Sequence, residues 1–223
     1  MLDERSWRLP RRWSNQVLSK IGPVFSGEVI NVSGWRDADK GGERYRSYFP
    51  NASHYYVSNF HGERGTTDDG GTTDFELDLE QALPPALVGR FDVVFNHTVL
   101  EHVFDIFTAF ANLCAMSRDA VIVVVPFAQR LHHGASVGDY WRVSAQALAR
   151  LFDRNAMKLV FEAANHHRNA GNYVVGVGVR DPARWQGRLP AHAPIAELAH
   201  WIGQTRLREL VRGASRVWRA LGV

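Results

Sequence analysis

Apolar and polar positions along the chain alternate between short buried runs and amphipathic stretches. The clearest run is Phe91-Asp92-Val93-Val94-Phe95-Asn96, nearly continuous apolar sequence of the kind a strand covered on both faces requires. Helical spacing follows, with Val103, Phe107, Phe110 and Leu113 forming an apolar stripe. Ala120 to Val125 predicts another buried strand, stopped by Pro126. Upstream, Glu28 to Ser33 reads as a short buried strand that gives way to Gly34 at a turn. His54 to Phe60 and Phe75 to Leu79 predict two more strands, with Pro84-Pro85 as the breaker. Downstream, Ser144 is placed to cap a helix running to about Phe152. Met157 to Ala163 and Tyr173 to Val179 predict an antiparallel pair joined by an Asn/His/Gly loop.

The remaining segments are polar. Residues 1–27 read as a basic, Trp-containing arm with a short helix around Ser14 to Ile21, closed by Gly22-Pro23. Residues 36–53 read as loop with a short helix near Glu43 to Tyr48, and residues 61–73 are rich in Gly, Thr and Asp with no apolar anchor. The expected organisation is therefore an arm (1–27), one α/β domain (28–181) and a basic amphipathic helical extension (182–223). Strands alternating with helices and ending in an antiparallel pair predict a three-layer, mostly parallel sheet. Such sheets bind ligands beyond the carboxyl ends of their strands, here Ser33-Gly34, Asn59, Asp78, Asn96-His97 and Pro126.

Composition narrows the function classes. With 223 residues, 45% of them hydrophobic, one globular domain is the default. The net charge is +3, and the arginines cluster at Arg5, Arg8, Arg11 and Arg12 and again from Arg206 to Arg219. They are not interleaved with a recognition motif, which argues against nucleic acid as partner. The single cysteine, Cys114, excludes an internal disulfide and reads as a buried structural thiol in a reducing compartment. No apolar run approaches the roughly 18 to 20 residues of a spanning helix, and no secretory signal pattern opens the chain, so a cytoplasmic location is expected. Residues Ile195 to Leu221 carry Trp and Leu against Arg, which suits either docking on the domain or peripheral contact with an anionic membrane. The pairs His132-His133 and His166-His167 lack the spacing of a metal site, so no metal is expected. Oligomeric state, a homodimer included, is left open.

The stretch Phe91 to Asp105, with its Val99-Leu100-Glu101-His102-Val103 centre, resembles the FDxVxxxxVLEHVxD signature of class I S-adenosylmethionine (SAM)-dependent methyltransferases. Members follow it with a helix and a strand ending in proline, as Val121 to Pro126-Phe127 does. His132 and Asp139-Tyr140-Trp141-Arg142-Val143-Ser144 resemble the H…DYWRxT element of a bacterial subgroup often found among surface-polysaccharide functions. The resemblance spans residues 28–180. It implies a Rossmann-like, seven-stranded methyltransferase fold with SAM across the strand ends. It also implies O-methylation (N-methylation less so) of a sugar-containing or other small acceptor. Orientation would supply much of the rate, and a base would add about 10² to 10⁴-fold. The alternative is a non-catalytic protein of the same fold, acting as a partner subunit or ligand-binding module.

The resemblance also assigns positions. The family's glycine-rich turn falls on Asn31-Val32-Ser33-Gly34-Trp35-Arg36, with one glycine and a bulky Trp35. The acidic residue that accepts ribose hydroxyls is replaced at Ser58-Asn59, where Asn59 lacks charge-assisted pairing. Asp78 matches the position that meets the adenine amino group, and Leu79 would lie against the ring. Asn96 and His97 end the fourth strand beside cofactor or acceptor, with functional and structural roles both open for His97. Glu101 is expected to organise the loop. His132 is the expected base, since an unperturbed imidazole titrates at about 6.5. Asp139, Tyr140 and Arg142 are expected to shape the acceptor site, or Tyr140 and Trp141 to pack the next helix.

Overall fold

A computed structural model describes residues 2–39, 41–60, 73–131, 134, 137–165 and 171–191. Its strands are β1 (Gly27–Val32), β2 (Ala52–Asn59), β3 (Phe75–Glu76), β4 (Phe91–His97), β5 (Ser117–Ala128), β6 (Lys158–Ala164) and β7 (Asn172–Val179). Its helices are α1 (Leu2–Ile21), α2 (Ile106–Met116), α3 (Ala145–Arg154) and the single turn α4 (Pro182–Trp185). The strands form one seven-stranded sheet in the order β3-β2-β1-β4-β5-β7-β6. β1 to β5 pair in parallel, whereas β7 runs antiparallel to both β5 and β6. This is the three-layer α/β architecture that the sequence implies. Strand order reverses between β1 and β4, and the crevice at such a reversal is where open sheets bind ligands.

The apolar runs of β4 and β5 follow from cover on both faces. On one face Phe110 of α2 and Phe152 of α3 meet edge to face at 4.9 Å above Val94, Val121 and Val123. On the other, Leu18 and Ile21 of α1 join Phe25, Tyr45, Phe49 and Trp185 over Val93, Phe95, Ile122 and Val124. Full burial of each such side chain contributes about 1.5 to 3 kcal/mol. Cys114 is a buried thiol, and burial pushes its pKa up to about 12. Ser144 caps α3 as expected, its hydroxyl accepting from the Ala147 amide at 3.1 Å.

Five local expectations are corrected. The N-terminal helix starts at Leu2 rather than near Ser14 and runs through Pro10. Phe107 does not belong to the buried stripe of α2: it is 51% exposed, and Ile106, Ala109, Phe110 and Leu113 face the core. Asp105 caps α2 through the Thr108 amide, so the helix starts after Val103 and its phase is shifted. β5 is not stopped by Pro126 but continues to Ala128, with Pro126 opposite Tyr173. The proline is tolerated because pairing with β4 has already ended at Val124. β3 is two residues long, and Leu77 to Leu79 leave the sheet. The expected helix near Glu43 to Tyr48 is a 3-10 turn over Tyr45–Tyr48. Among the described residues no helix is long and apolar enough to cross a membrane. His132-His133, His166-His167 and the segment 192–223 lie outside the described residues.

Candidate functional site

The turn after β1 supplies one wall of the crevice. Ser33, Trp35 and Asp37 all hold positive φ (57°, 49° and 56°), a left-handed conformation unfavourable for residues with a Cβ. Hydrogen bonds, rather than glycines, hold it. Trp35 donates its amide to Asn59 Oδ1 at 2.6 Å, and Asn59 Nδ2 donates to the Trp35 carbonyl (3.1 Å) and to Thr73 Oγ1 (2.9 Å). The Gly34 amide donates to the Ser58 carbonyl at 3.1 Å, and the Ser33 amide to Ser58 Oγ at 3.4 Å. Gly34 is required by close approach, because a Cβ there would sit 2.4 Å from Asn31 Nδ2.

Two buried carboxylates that the sequence reading passed over organise the same loop. Asp37 Oδ1 accepts from Asn31 Nδ2 (2.9 Å) and from the Tyr55 hydroxyl (2.8 Å), and Oδ2 accepts from the Arg46 amide (3.2 Å). Burial and then the Asp37 charge push the Tyr55 hydroxyl well above its ordinary pKa, so it remains a donor. Asp39 Oδ1 accepts from the Gly41 and Glu43 amides, while Oδ2 accepts from Asn15 of α1 (3.0 Å) and the Tyr48 hydroxyl (2.6 Å). The available signal was two acidic residues in a loop that begins at a strand end.

At the end of β4, Asn96 Nδ2 donates to the Val32 carbonyl at 3.0 Å, tying β4 to β1. Its Oδ1 is buried with no hydrogen-bond partner among the described residues. His97 is buried on the opposite side, its ring 5.0 Å from that of Tyr45. The Ser14 hydroxyl of α1 donates to the Arg11 carbonyl, so His97 Nε2 donates to Ser14 Oγ (2.9 Å) and Nδ1 accepts from Thr98 Oγ1 (3.1 Å). Beyond β3, the Leu77 amide donates to the Asn59 carbonyl, which brings Asp78 toward the Asn59 turn. Asp78 Oδ1 accepts from the Glu80 amide at 2.9 Å. Leu79 is packed inside the core against α2.

The turn after β4 carries a second group. Glu101 is 1% exposed, and its Oε2 has no hydrogen-bond partner among the described residues. Burial raises its carboxyl to about 7; its own backbone amide opposes the rise most, Arg11 and Arg142 oppose it further, and Asp139 adds to it. The Glu101 carbonyl accepts from the Tyr140 amide (2.7 Å) and the Trp141 amide (3.3 Å). Arg142 grips Asp139 through two parallel bonds of 2.5 and 2.7 Å. Tyr140 is exposed and meets Phe104 edge to face at 5.4 Å, and the Trp141 indole donates to the Val103 carbonyl.

The structure thus brings Asn31, Ser33, Gly34, Asn59 and Asn96 together around the β1–β4 reversal. Glu101, Asp139, Tyr140 and Arg142 gather beside the end of β4. His97 joins β4 to α1, and Leu79 lies in the core.

No family model matches the chain, and no curated protein sequence does. Solved structures match its fold. Magnesium protoporphyrin IX methyltransferase from Synechocystis PCC 6803, with bound S-adenosylhomocysteine (SAH), is 14% identical at a TM-score of 0.51, over 79% of this chain and 86% of that one. Geranyl diphosphate methyltransferase in complex with SAM is 12% identical at 0.53, over 81% and 89%. A putative S-adenosylmethionine-dependent methyltransferase from Listeria monocytogenes is 9% identical at 0.53, over 77% and 98%. The fold is that of the class I SAM-dependent methyltransferases.

Proposed function

We propose that the protein is a SAM-dependent methyltransferase acting on an oxygen of a small acceptor, with a sugar-containing molecule as the favoured class. The observation that carries the reading is Asn96 Oδ1, a buried acceptor left without a partner among the described residues where strand order reverses. An unsatisfied buried polar atom costs about 1 to 3 kcal/mol, and a ligand donor such as the ammonium group of SAM would satisfy it.

The other positions fit the cofactor to different degrees. Asn59 spends its amide donors and one lone pair on the Trp35 turn and Thr73, leaving a second lone pair for one ribose hydroxyl. Asp78 would meet an adenine amino group, and the Asn31 to Trp35 turn would lie along the methionine portion. When bound, SAM would supply an electrophilic methyl group on a positively charged sulfur. Asp139, Tyr140 and Arg142 would bound the acceptor's approach, with the Asp-Tyr-Trp-Arg resemblance as support for a glycan-type acceptor. His97, held at both ring nitrogens, would position the end of β4. His132, the base expected from the sequence, lies outside the described residues.

A second reading, a non-catalytic ligand-binding or partner protein of this fold, is favoured by the commitment of Asn59 to Trp35. Calorimetric titration with SAM and with SAH decides first. Binding of both is expected, and no heat at millimolar ligand would reject the methyltransferase reading.

A further inference from the structure

We propose, resting on the methyltransferase reading, that Glu101 is the group that takes the acceptor's proton. Its carboxyl is buried between the end of β4, α1 and the segment leading into α3.

The geometry separates Glu101 from the groups around it. Asp139 is neutralised by the two-point grip of Arg142. His97 has both ring nitrogens engaged, and His102 donates Nδ1–H to the Gly138 carbonyl. Burial pushes the hydroxyls of Tyr45 and Tyr173 above their ordinary range, so both stay protonated near neutrality. Glu101 alone among these groups presents a buried carboxyl oxygen, Oε2, without a partner among the described residues. Its backbone is held by the Tyr140 and Trp141 amides, which fixes where the carboxyl stands.

The surrounding charges set when it can act. Arg11 faces it from α1, Asp139 and Arg142 from the segment before α3, and Tyr173 from β7. Within its own turn, His102 Nε2 lies 3.8 Å from Oε1. Its own backbone amide, and then Arg11 and Arg142, partly offset burial and Asp139, leaving the carboxyl at about 7, the range that suits a base working near neutrality.

The step balances without any further reactant. The acceptor's O–H bond breaks and its proton passes to Glu101 Oε2. The oxygen's electron pair forms the new O–C bond while the bond from methyl to sulfur breaks, its electrons remaining on sulfur. A carboxylate and a sulfonium become a carboxylic acid and a neutral thioether.

The test is a pH titration by carbon-13 NMR of the full chain labelled at glutamate carboxyls, run free, with SAM and with SAH. One carboxyl is expected to titrate near neutrality and to be missing from Glu101→Gln. If it lies at the reacting centre, the positive sulfur of SAM lowers its midpoint by about one pH unit, and neutral SAH does not. Should both ligands bind and leave the same midpoint, Glu101 is not at the reacting centre: the inference falls and the methyltransferase reading stands. Should neither bind, that reading falls and the inference with it. Comparing SAM with SAH uses the unsubstituted protein, so a variant that fails to fold does not remove the test.

Discussion

The backbone carbonyl of Glu101 accepts the Tyr140 amide at 2.7 Å, and through this bond the turn after β4 and the segment before α3 become one unit. The Trp141 amide and indole add further links, to the Glu101 and Val103 carbonyls. The Leu-Glu-His and Asp-Tyr-Trp-Arg stretches, far apart in sequence, are two halves of one wall. Side chains of this wall therefore divide into those that hold it, such as Asp139 and Trp141, and Glu101, whose Oε2 has no partner among the described residues and to which the proposed proton transfer is assigned.

Arg142 is expected to be structural in this wall. The side chain of Asp139 is 0% exposed, so removing its guanidinium leaves a charge poorly solvated. Arg142→Ala is expected to lose about 2 to 3 kcal/mol in urea denaturation, below the roughly 3 to 5 of a fully buried pair because Arg142 is partly exposed. Arg142→Lys keeps the charge without the planar two-point grip and is expected to recover part of the loss. A stability change under about 0.5 kcal/mol for Ala would show that the pair does not hold the segment.

Asn59→Asp supplies the acidic residue that the methyltransferase resemblance calls for here, yet it is expected to weaken the protein. The carboxylate could still accept from the Trp35 amide, but it would replace Nδ2, which donates to the Trp35 carbonyl and to Thr73. Two oxygens would then face each other in a buried place. A loss of about 1 to 3 kcal/mol is expected, with no tightening of SAH by calorimetry. Tighter SAH binding at unchanged stability would mean that ribose contact, not the Trp35 turn, governs this residue.

Gly34→Ala tests the turn from the other side. The added carbon would sit 2.4 Å from Asn31 Nδ2 and 2.6 Å from its Cγ, so Asn31 must leave Asp37. Destabilisation of about 1 to 3 kcal/mol is expected. Because the damage passes through Asn31, Asn31→Ala combined with Gly34→Ala is expected to cost less than the sum of the two single changes.

What could be read from the sequence divides along physical lines. β4 and β5 were legible because both faces are covered, which forces continuous apolar runs. The loop that shapes the crevice was not. Asp37 and Asp39 look like ordinary loop acids, and what buries them, Asn15, Tyr48 and Tyr55, comes from three separate elements. The first half of α1 was hidden by Pro10, which a sequence reading takes as a boundary. The proposed cofactor positions at Asn31, Gly34 and Asn59 follow from the family resemblance, but the hydrogen bonds that commit Asn31 to Asp37 and Asn59 to Trp35 are a three-dimensional fact. Glu101 is expected from the sequence to organise the loop, and its backbone does that, while one carboxyl oxygen, Oε2, has no hydrogen-bond partner among the described residues.

The acid–base character of Glu101 also fixes a stability profile that can be measured without any ligand. Its carboxyl stands at about 7 in the folded protein against 4.5 for an ordinary glutamate, chiefly because burial disfavours the charged form. Between those two values the folded chain holds a proton that the unfolded chain has released. Folding is therefore favoured by the neutral acid below pH 4.5, and this contribution is lost as pH rises through 7. The displacement corresponds to about 3 kcal/mol. Glu101→Gln keeps a neutral side chain of the same size and cannot lose that proton. Urea denaturation of both proteins from pH 5 to pH 8 is expected to show the variant gaining on the unsubstituted protein as pH rises, most steeply between pH 5 and 7. Other titrating groups affect the two proteins alike, so the difference curve isolates position 101. A flat difference curve would mean that Glu101 is ionised throughout this range, and its carboxyl would then have to be compensated by closer contact with Arg11 or Arg142.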